Sequence, residues 1–399
     1  MRILLLCNKS PWPPRDGGAF ATLNLIRCLS EMNVKISVLA LNPDKHHADQ
    51  NIIPEEVKRL AVFRLIDIRT GIKPFRFLVN LLFSKKPYNL SRFWSKEYLK
   101  ELKNLITDEY DLIQIEGLAM HQYLKTIRDI TSVPVVFRPH NIENLIWSGL
   151  SNEETNIFKK IYFRILASRL RETERHIVND FDAIIPISSY DITWFRDLGL
   201  EKPSIVHTMG FASFSFSPTD NIQNNAVCFI GALDWLPNIK GLFWFIKKVW
   251  PLVLKYKPEA EFHIAGRNAS QKTILKLKGS NIIFEGEVES SEQFLKNKVI
   301  IAVPLFSGSG ARIKILEGMS MGKCIVATHL AASGIEYEDR KNLFICENAQ
   351  SFAEEIVKLL NDVNLRVFAG NNAIGNVRKN YDILATSQKL ITFYQKLLA

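Results

Sequence analysis

The sequence predicts an α/β fold built from two Rossmann-like sheets. Short apolar runs of strand length alternate with helical patterns along nearly all of the 399 residues, as in parallel sheets with crossover helices. The alternation lapses once, near residues 210–225, where the chain is rich in Ser, Asn and Phe and keeps no helical period. The length alone sets a prior of two or three domains. The expected division is therefore 1–212, a linker at 213–225, 226–381, and a last helical segment at 382–399.

In the first domain the apolar runs place strands at Arg2–Cys7, Lys35–Ala40, Leu112–Glu116, Val133–Phe137 and Ala183–Ile187. Helical spacing fills Ala21–Met32, Lys96–Thr107, a long stretch within Thr155–Asn179, and Ser189–Leu198. In the second domain strands are expected at Ala226–Ile230, Glu261–Ala265, Ile282–Gly286, Val299–Leu305, Cys324–Thr328 and Leu343–Cys346. Helices alternate with them at Leu242–Tyr256, Gln271–Lys278, Arg312–Met321, Ala349–Asn361 and Asn364–Tyr381. Sheets of this kind bind ligands beyond the carboxyl ends of their strands, so the site is expected in a cleft between the two sheets.

Composition narrows the class. Hydrophobic residues make up 47% and charged residues 23%, ordinary for a globular protein. The first residues, Met1 to Cys7, read as a buried strand, since they lack the apolar core and cleavage site of a signal peptide. No run approaches the ~20 apolar residues that span a bilayer. The five cysteines are scattered without zinc or redox spacing, which predicts reduced core thiols and a cytoplasmic setting. No cofactor and no metal are expected.

Residues 304–328 carry the strongest chemical signal. An apolar run to Leu305 ends in the turn Gly308-Ser309-Gly310 and Ala311. A helix follows with Ile313, Leu316 and Met319 on one face, then the apolar run Cys324–Ala327. The glycines let a ligand approach the backbone, and the helix start offers N–H groups to an anion. Arg312 and Lys314 add positive charge, and Glu317 one turn on can accept hydrogen bonds from hydroxyls. A site that neutralises a diphosphate and grips hydroxyls suits a nucleotide sugar.

These residues, with 231–241 and Arg138-Pro-His-Asn-Ile-Glu-Asn144, resemble the retaining glycosyltransferases of family 4. The likeness extends over almost the full length. It implies the two-Rossmann architecture called GT-B, in which the domains face each other across a cleft. The last helix would cross back to the N-terminal domain. The activity implied is hexosyl transfer, without a metal, from a nucleotide diphosphate sugar to an acceptor hydroxyl. The expected donor is UDP- or GDP-linked and the expected acceptor is a sugar or lipid-linked sugar. Surface polysaccharide, lipopolysaccharide or another glycoconjugate would be the product.

Residue roles follow from the same resemblance. Glu317 matches the second of the family's paired glutamates and would hold the donor ribose; the competing reading is a helix charge paired with Lys314. The first glutamate of the pair falls on Ser309, a departure that changes the grip on the sugar. Arg312 stands where a glycine is common, which would supply charge to the phosphates directly. Lys240 matches a phosphate-binding lysine. Its usual arginine partner is replaced by Ala232, with Arg312 and Arg267 as candidates for the missing charge; Arg267 reads equally as a surface charge. His140 matches the histidine near the reacting carbon, and Glu143 beside it reads also as a helix-start charge. Gly17 and Gly18 match the loop after the first strand, where donor phosphates approach. The expected catalytic residues are therefore His140, Lys240 and Arg312. The expected donor-binding residues are Gly17, Gly18, Arg267, Gly308, Ser309, Gly310, Ala311, Ile313, Lys314 and Glu317.

The net charge of +10 is uneven: residues 64–103 hold ten Lys/Arg against three Asp/Glu, interleaved with Phe75, Phe77, Phe83, Phe93 and Trp94. This pattern fits an amphipathic helix resting on the inner face of an anionic membrane. It also fits an ordinary helix with a solvated basic face. No nucleic-acid motif accompanies it, so no nucleic-acid partner is expected. Three rival functions share the fold. A nicotinamide oxidoreductase would need Gly-x-Gly-x-x-Gly in the first βα turn, which is absent. An epimerase or sugar-phosphate synthase, and a non-catalytic nucleotide-sugar binder, both stay open.

Overall fold

The computed structural model describes residues 1–106, 110–211, 223–308 and 312–399. Ser309, Gly310, Ala311 and most of the expected linker lie outside the described residues. Two compact units result: Met1–Gly210 joined by Ile383–Ala399, and Phe211–Asp382. Phe211 sits with the second unit because its N–H donates to Tyr381 O at 2.7 Å.

The first unit holds six strands: β1 Arg2–Cys7, β2 Lys35–Pro43, β3 Val62–Ile68, β4 Leu112–Glu116, β5 Val135–Arg138 and β6 Ala183–Ile184. They pair in parallel in the order β3-β2-β1-β4-β5-β6. The second unit holds β7 Ala226–Ile230, β8 Glu261–Ala265, β9 Ile282–Gly286, β10 Ile300–Val303, β11 Cys324–Ala327 and β12 Phe344–Ile345. Their order, β12-β11-β10-β7-β8-β9, repeats the same topology. Both sheets are Rossmann-like, with the order reversing between β1 and β4 and between β7 and β10.

The central strands are buried along nearly their whole length because both faces are covered, and most of their positions are apolar. Side chains alternate across β1: Leu4 and Leu6 join one core with Ile113 and Ile115, while Ile3 and Leu5 join the opposite core with Leu25 and Ile26. The C-terminal helix Ile383–Leu398 completes that second core with Leu390, Ile391 and Tyr394. The buried Tyr394 hydroxyl donates to Gln114 Oε1 on β4. Chain residues 383–399 are thus part of the first unit's interior, although the second unit lies before them in sequence.

Several elements differ from the sequence reading. β3 was not expected: it is an edge strand, its exposure alternates, and its charged residues disguise it. The helices Glu143–Glu153 and Ser291–Lys296 were not expected either. The single helix expected at Leu242–Tyr256 instead begins at Leu236, where Pro237 occupies the first turn. It passes through a π-helical turn at Phe245–Val249 and resumes at Trp250–Tyr256. Pro251 has no N–H and crowds the preceding turn, which the wider π turn accommodates. Lys240 therefore lies inside a helix, not before one. Gly17 and Gly18 likewise open the helix Gly17–Glu31 instead of preceding it, because Asp16 caps it by accepting from Ala19 N at 2.9 Å.

Removing the hydroxyl by Tyr394→Phe deprives buried Gln114 of a donor. The expected loss is about 1–3 kcal/mol of unfolding free energy, read as a lower urea midpoint at unchanged slope.

Candidate functional site

The carboxyl ends of β1, β4 and β5 converge on one buried carboxylate. Glu116 ends β4, and its Oε2 accepts from Thr22 Oγ1 at 2.9 Å, Arg138 Nη1 at 3.0 Å and His140 Nε2 at 2.5 Å. Gln114 Nε2 donates to the other oxygen, Oε1. Burial alone would raise the Glu116 carboxyl, but the Arg138 charge and the hydrogen bonds from His140 and Gln114 bring it down to about 2. An ionised carboxylate only accepts, so His140 carries its proton on Nε2 and turns Nδ1 the other way.

That other side faces Gly18. A Cβ on Gly18 would fall 2.8 Å from His140 Nδ1 and 3.4 Å from Lys9 Nζ, so glycine is required by contact with the imidazole. Lys9 Nζ in turn pairs with Asp16 Oδ2 at 2.5 Å. The structure thus brings together Gly18 and His140, which the sequence offered as separate motifs. Glu116, Arg138, Thr22 and Lys9 complete the cluster.

Next to His140, the helix Glu143–Glu153 starts on a second carboxyl. Glu174, from the helix Ile157–Ile177, accepts from Asn144 N at 3.3 Å and caps that start. Burial pushes Glu174 up to about 8 and the half-buried Glu143 up to about 7. Glu143 is more than a surface helix charge, as its carboxyl is held in a setting that favours the neutral form. His207, buried at 3% exposure, is lowered to about 3 by burial and then by the Arg138 charge, so it is a neutral ring. Sequence reasoning passed over Glu116 and His207. A charged residue closing a mostly apolar strand was the available signal for Glu116.

In the second unit the expected residues gather beyond β7 and β10. Gly308 has φ +113°, and a Cβ there would stand 3.2 Å from both Arg312 Nη2 and the Trp235 ring. The buried Arg312 guanidinium lies over that ring at 5.9 Å. Arg312 is the N-cap of the helix Ile313–Ser320, and a guanidinium cannot accept a hydrogen bond. Its side chain therefore adds positive charge at a helix start instead of capping it, an arrangement suited to an anion. Ile313 is the first residue of that helix.

Glu317 lies one turn deeper. Ser291 Oγ, at the start of the unexpected helix Ser291–Lys296, donates to Glu317 Oε1. Burial raises the Glu317 carboxyl, opposed by that hydrogen bond. Lys314 turns elsewhere: its ammonium donates to Asn238 Oδ1 at 3.1 Å and sits 4.7 Å from the centre of the Phe229 ring. The two side chains diverge, so a Lys314 pairing does not account for Glu317. Burial, then the Arg312 charge, lowers Lys314 to about 7.

Lys240 is half-buried on the helix Leu236–Trp244. The next residue, Gly241, touches the β10 exit, since a Cβ there would overlap Pro304 O at 1.7 Å. Arg267 follows β8 and accepts from Leu233 N at 2.9 Å through its carbonyl, which ties it to the 231–234 loop. Among the described residues no group of three His, Cys, Asp or Glu is placed to hold a metal ion.

Two family models cover most of the chain. The one described as Glycosyltransferase Family 4 matches residues 15–209, and the one described as Glycosyl transferases group 1 matches 224–362. The chain is a GT-B glycosyltransferase. The glycosyltransferase is 24% identical over 392 residues to an uncharacterized 44.6 kDa protein in the cps region of Klebsiella pneumoniae, with 96% of each chain covered. Its fold matches the HepE protein of Anabaena in complex with UDP at a TM-score of 0.69 and 16% identity, covering 99% and 100% of the two chains. It matches sucrose-phosphate synthase from Thermosynechococcus elongatus at a TM-score of 0.73 and 14% identity, covering 100% and 99%.

The carboxyl groups of the first unit make its stability depend on pH in opposite senses. Glu116 is depressed from the ordinary 4.5 to about 2, so its contribution is complete above pH 4.5 and drains as pH falls toward 2. Glu116→Gln leaves Arg138 buried without its counter-charge; it is expected to cost about 3–5 kcal/mol and to flatten that acid limb in denaturant titrations. Glu174 is raised to about 8, so its contribution is complete below pH 4.5 and drains as pH climbs to 8. Glu174→Gln is expected to remove much of the stability loss between pH 4.5 and 8, measured by thermal unfolding across that range.

Proposed function

We propose that this glycosyltransferase moves a hexose from a UDP-linked donor to an acceptor hydroxyl, with retention at the anomeric carbon. The observation that carries the reading is the start of the helix Ile313–Ser320. There Arg312, lying over Trp235, comes close to the backbone of Gly308, and Glu317 stands one turn deeper in the grip of Ser291. A cation and helix N–H groups suit a diphosphate, and a carboxylate at that depth suits ribose hydroxyls. The solved HepE complexes contain UDP and UDP-glucose, which supports the choice of nucleotide and sugar class. The relative in a cps region supports a role in polysaccharide synthesis with a sugar or lipid-linked acceptor.

In this mechanism negative charge grows on the leaving diphosphate as the sugar bond breaks. Arg312, Lys240 and the backbone beside Gly308, Ser309, Gly310, Ala311 and Ile313 stabilise it. Arg267 adds charge from the neighbouring loop, and Lys314 adds charge from the helix Ile313–Ser320. Gly17 and Gly18 keep the start of the first unit's helix bare of side chains. His140, held in place by Glu116, is the first unit's candidate for contact with the transferred sugar.

The test is direct. Lys240→Ala is expected to lower turnover at least ~100-fold, the scale of losing one group that stabilises a transition-state charge, and Glu317→Ala, which frees the ribose, to raise the donor KM at least ~10-fold. Their unfolding transitions should match the parent's. Glu317→Ala should also weaken the thermal stabilisation given by UDP more than Lys240→Ala does. Transfer at the parent rate by both variants would overturn the assignment.

A further inference from the structure

The helix Pro74–Phe83 carries its apolar stripe on the wrong side for a soluble domain. Phe75, Leu78, Val79 and Leu82 recur at helical spacing, the pattern that normally faces a core. Here they face water: Phe75 is 78% exposed and Phe83 83%, and no residue of the helix is buried. The neighbouring helix Ile157–Ile177 repeats the anomaly in its first turns, where Ile157, Phe158, Ile161 and Ile165 are all exposed, Phe158 at 80%. Only further along does that helix enter the core, through Leu166 and Leu170.

The two helices are joined firmly. The Phe77 ring meets the Tyr162 ring edge-on at 5.1 Å. Arg169 Nη2 donates to Leu81 O at 2.8 Å, and its Nη1 donates to Asn80 O at 3.2 Å, which satisfies the last carbonyls of the shorter helix. The exposed stripe is therefore held in place by the fold rather than left as a loose end.

Charge around the stripe has one sign. No Asp or Glu occurs from residue 68 to 96, where there are seven Lys/Arg. None occurs from 157 to 171, where there are five. Lys73, Arg76, Lys85, Lys86, Lys159 and Arg164 are exposed beside the apolar groups. Among the described residues no helix is long and apolar enough to cross a membrane. Aromatic and aliphatic side chains ringed by cations match the boundary of an anionic bilayer, where rings enter the acyl region and ammonium groups meet phosphates.

We infer that this two-helix surface docks the protein on the face of an anionic lipid bilayer. The sequence marked the basic segment; the fold adds the inverted stripe, its brace by Arg169, and the second helix at 157–165. The inference stands apart from the donor chemistry, since none of these residues belongs to the proposed sugar site.

The experiment is flotation of the full chain with vesicles of phosphatidylglycerol or of phosphatidylcholine, beside size-exclusion chromatography without lipid. The parent is expected to float with phosphatidylglycerol vesicles, to release as salt rises, and to stay behind with phosphatidylcholine. The triple variant Phe75→Ser, Phe83→Ser, Phe158→Ser is expected to lose binding by about tenfold or more, from the apolar area withdrawn. Its thermal unfolding and its stabilisation by UDP should be unchanged. Failure to float, equal binding to both lipids, or undiminished binding of the triple variant would overturn the inference. So would a parent dimer that the triple variant converts to a monomer without any vesicle binding. Loss of UDP stabilisation in the parent would count against the donor reading alone.

Discussion

The first unit is organised around one ionised carboxylate with no access to water. Glu116 draws in a hydroxyl from the helix Gly17–Glu31, a guanidinium and an imidazole from the exit of β5, and an amide from its own strand. Gln114 relays the connection to Tyr394 in the last helix. A buried charge is tolerated only when it is compensated and hydrogen-bonded, so each of these segments must adopt its observed position for the unit to fold. The same constraint sets the rotation of His140 and, through it, the absence of a side chain at Gly18.

The second unit meets a similar requirement with backbone contact. Gly241 lies against Pro304 O, Gly266 against Gly231 O, and Gly308 against Arg312 and Trp235. Each contact draws a loop close to its neighbour at the carboxyl ends of β7, β8 and β10. The outcome is a site where a fixed cation, a helix start and a carboxylate one turn deeper are presented together. The space at these glycines is taken by the neighbouring segment, so a side chain there would push the loops apart.

Much of this was legible in the sequence, for physical reasons. Strands buried on both faces, such as β1 and β10, are unbroken apolar runs, and both sheets followed from them. The edge strand β3 alternates and carries charge, so it was lost inside a basic segment. The π turn at Phe245–Val249 needed attention to Pro251, whose effect on the preceding turn outweighs the apolar period. The Glu116 cluster was not legible, because positions 22, 114, 116, 138, 140 and 394 meet only through topology. Nor does spacing alone say which way an apolar stripe faces. The helix Pro74–Phe83 has the pattern of a core helix and the exposure of a surface one.

The central claim is that a protein of this geometry transfers sugar from a nucleotide diphosphate donor. The most direct measurement incubates the purified chain with UDP-glucose carrying isotope in the sugar, together with a glycolipid extract. It follows UDP release and the fate of the label by chromatography and NMR. The account predicts stoichiometric UDP and labelled glycoside whose anomeric configuration matches the donor. Label remaining wholly on the donor while the protein binds UDP, or appearing in product of inverted configuration, would contradict it.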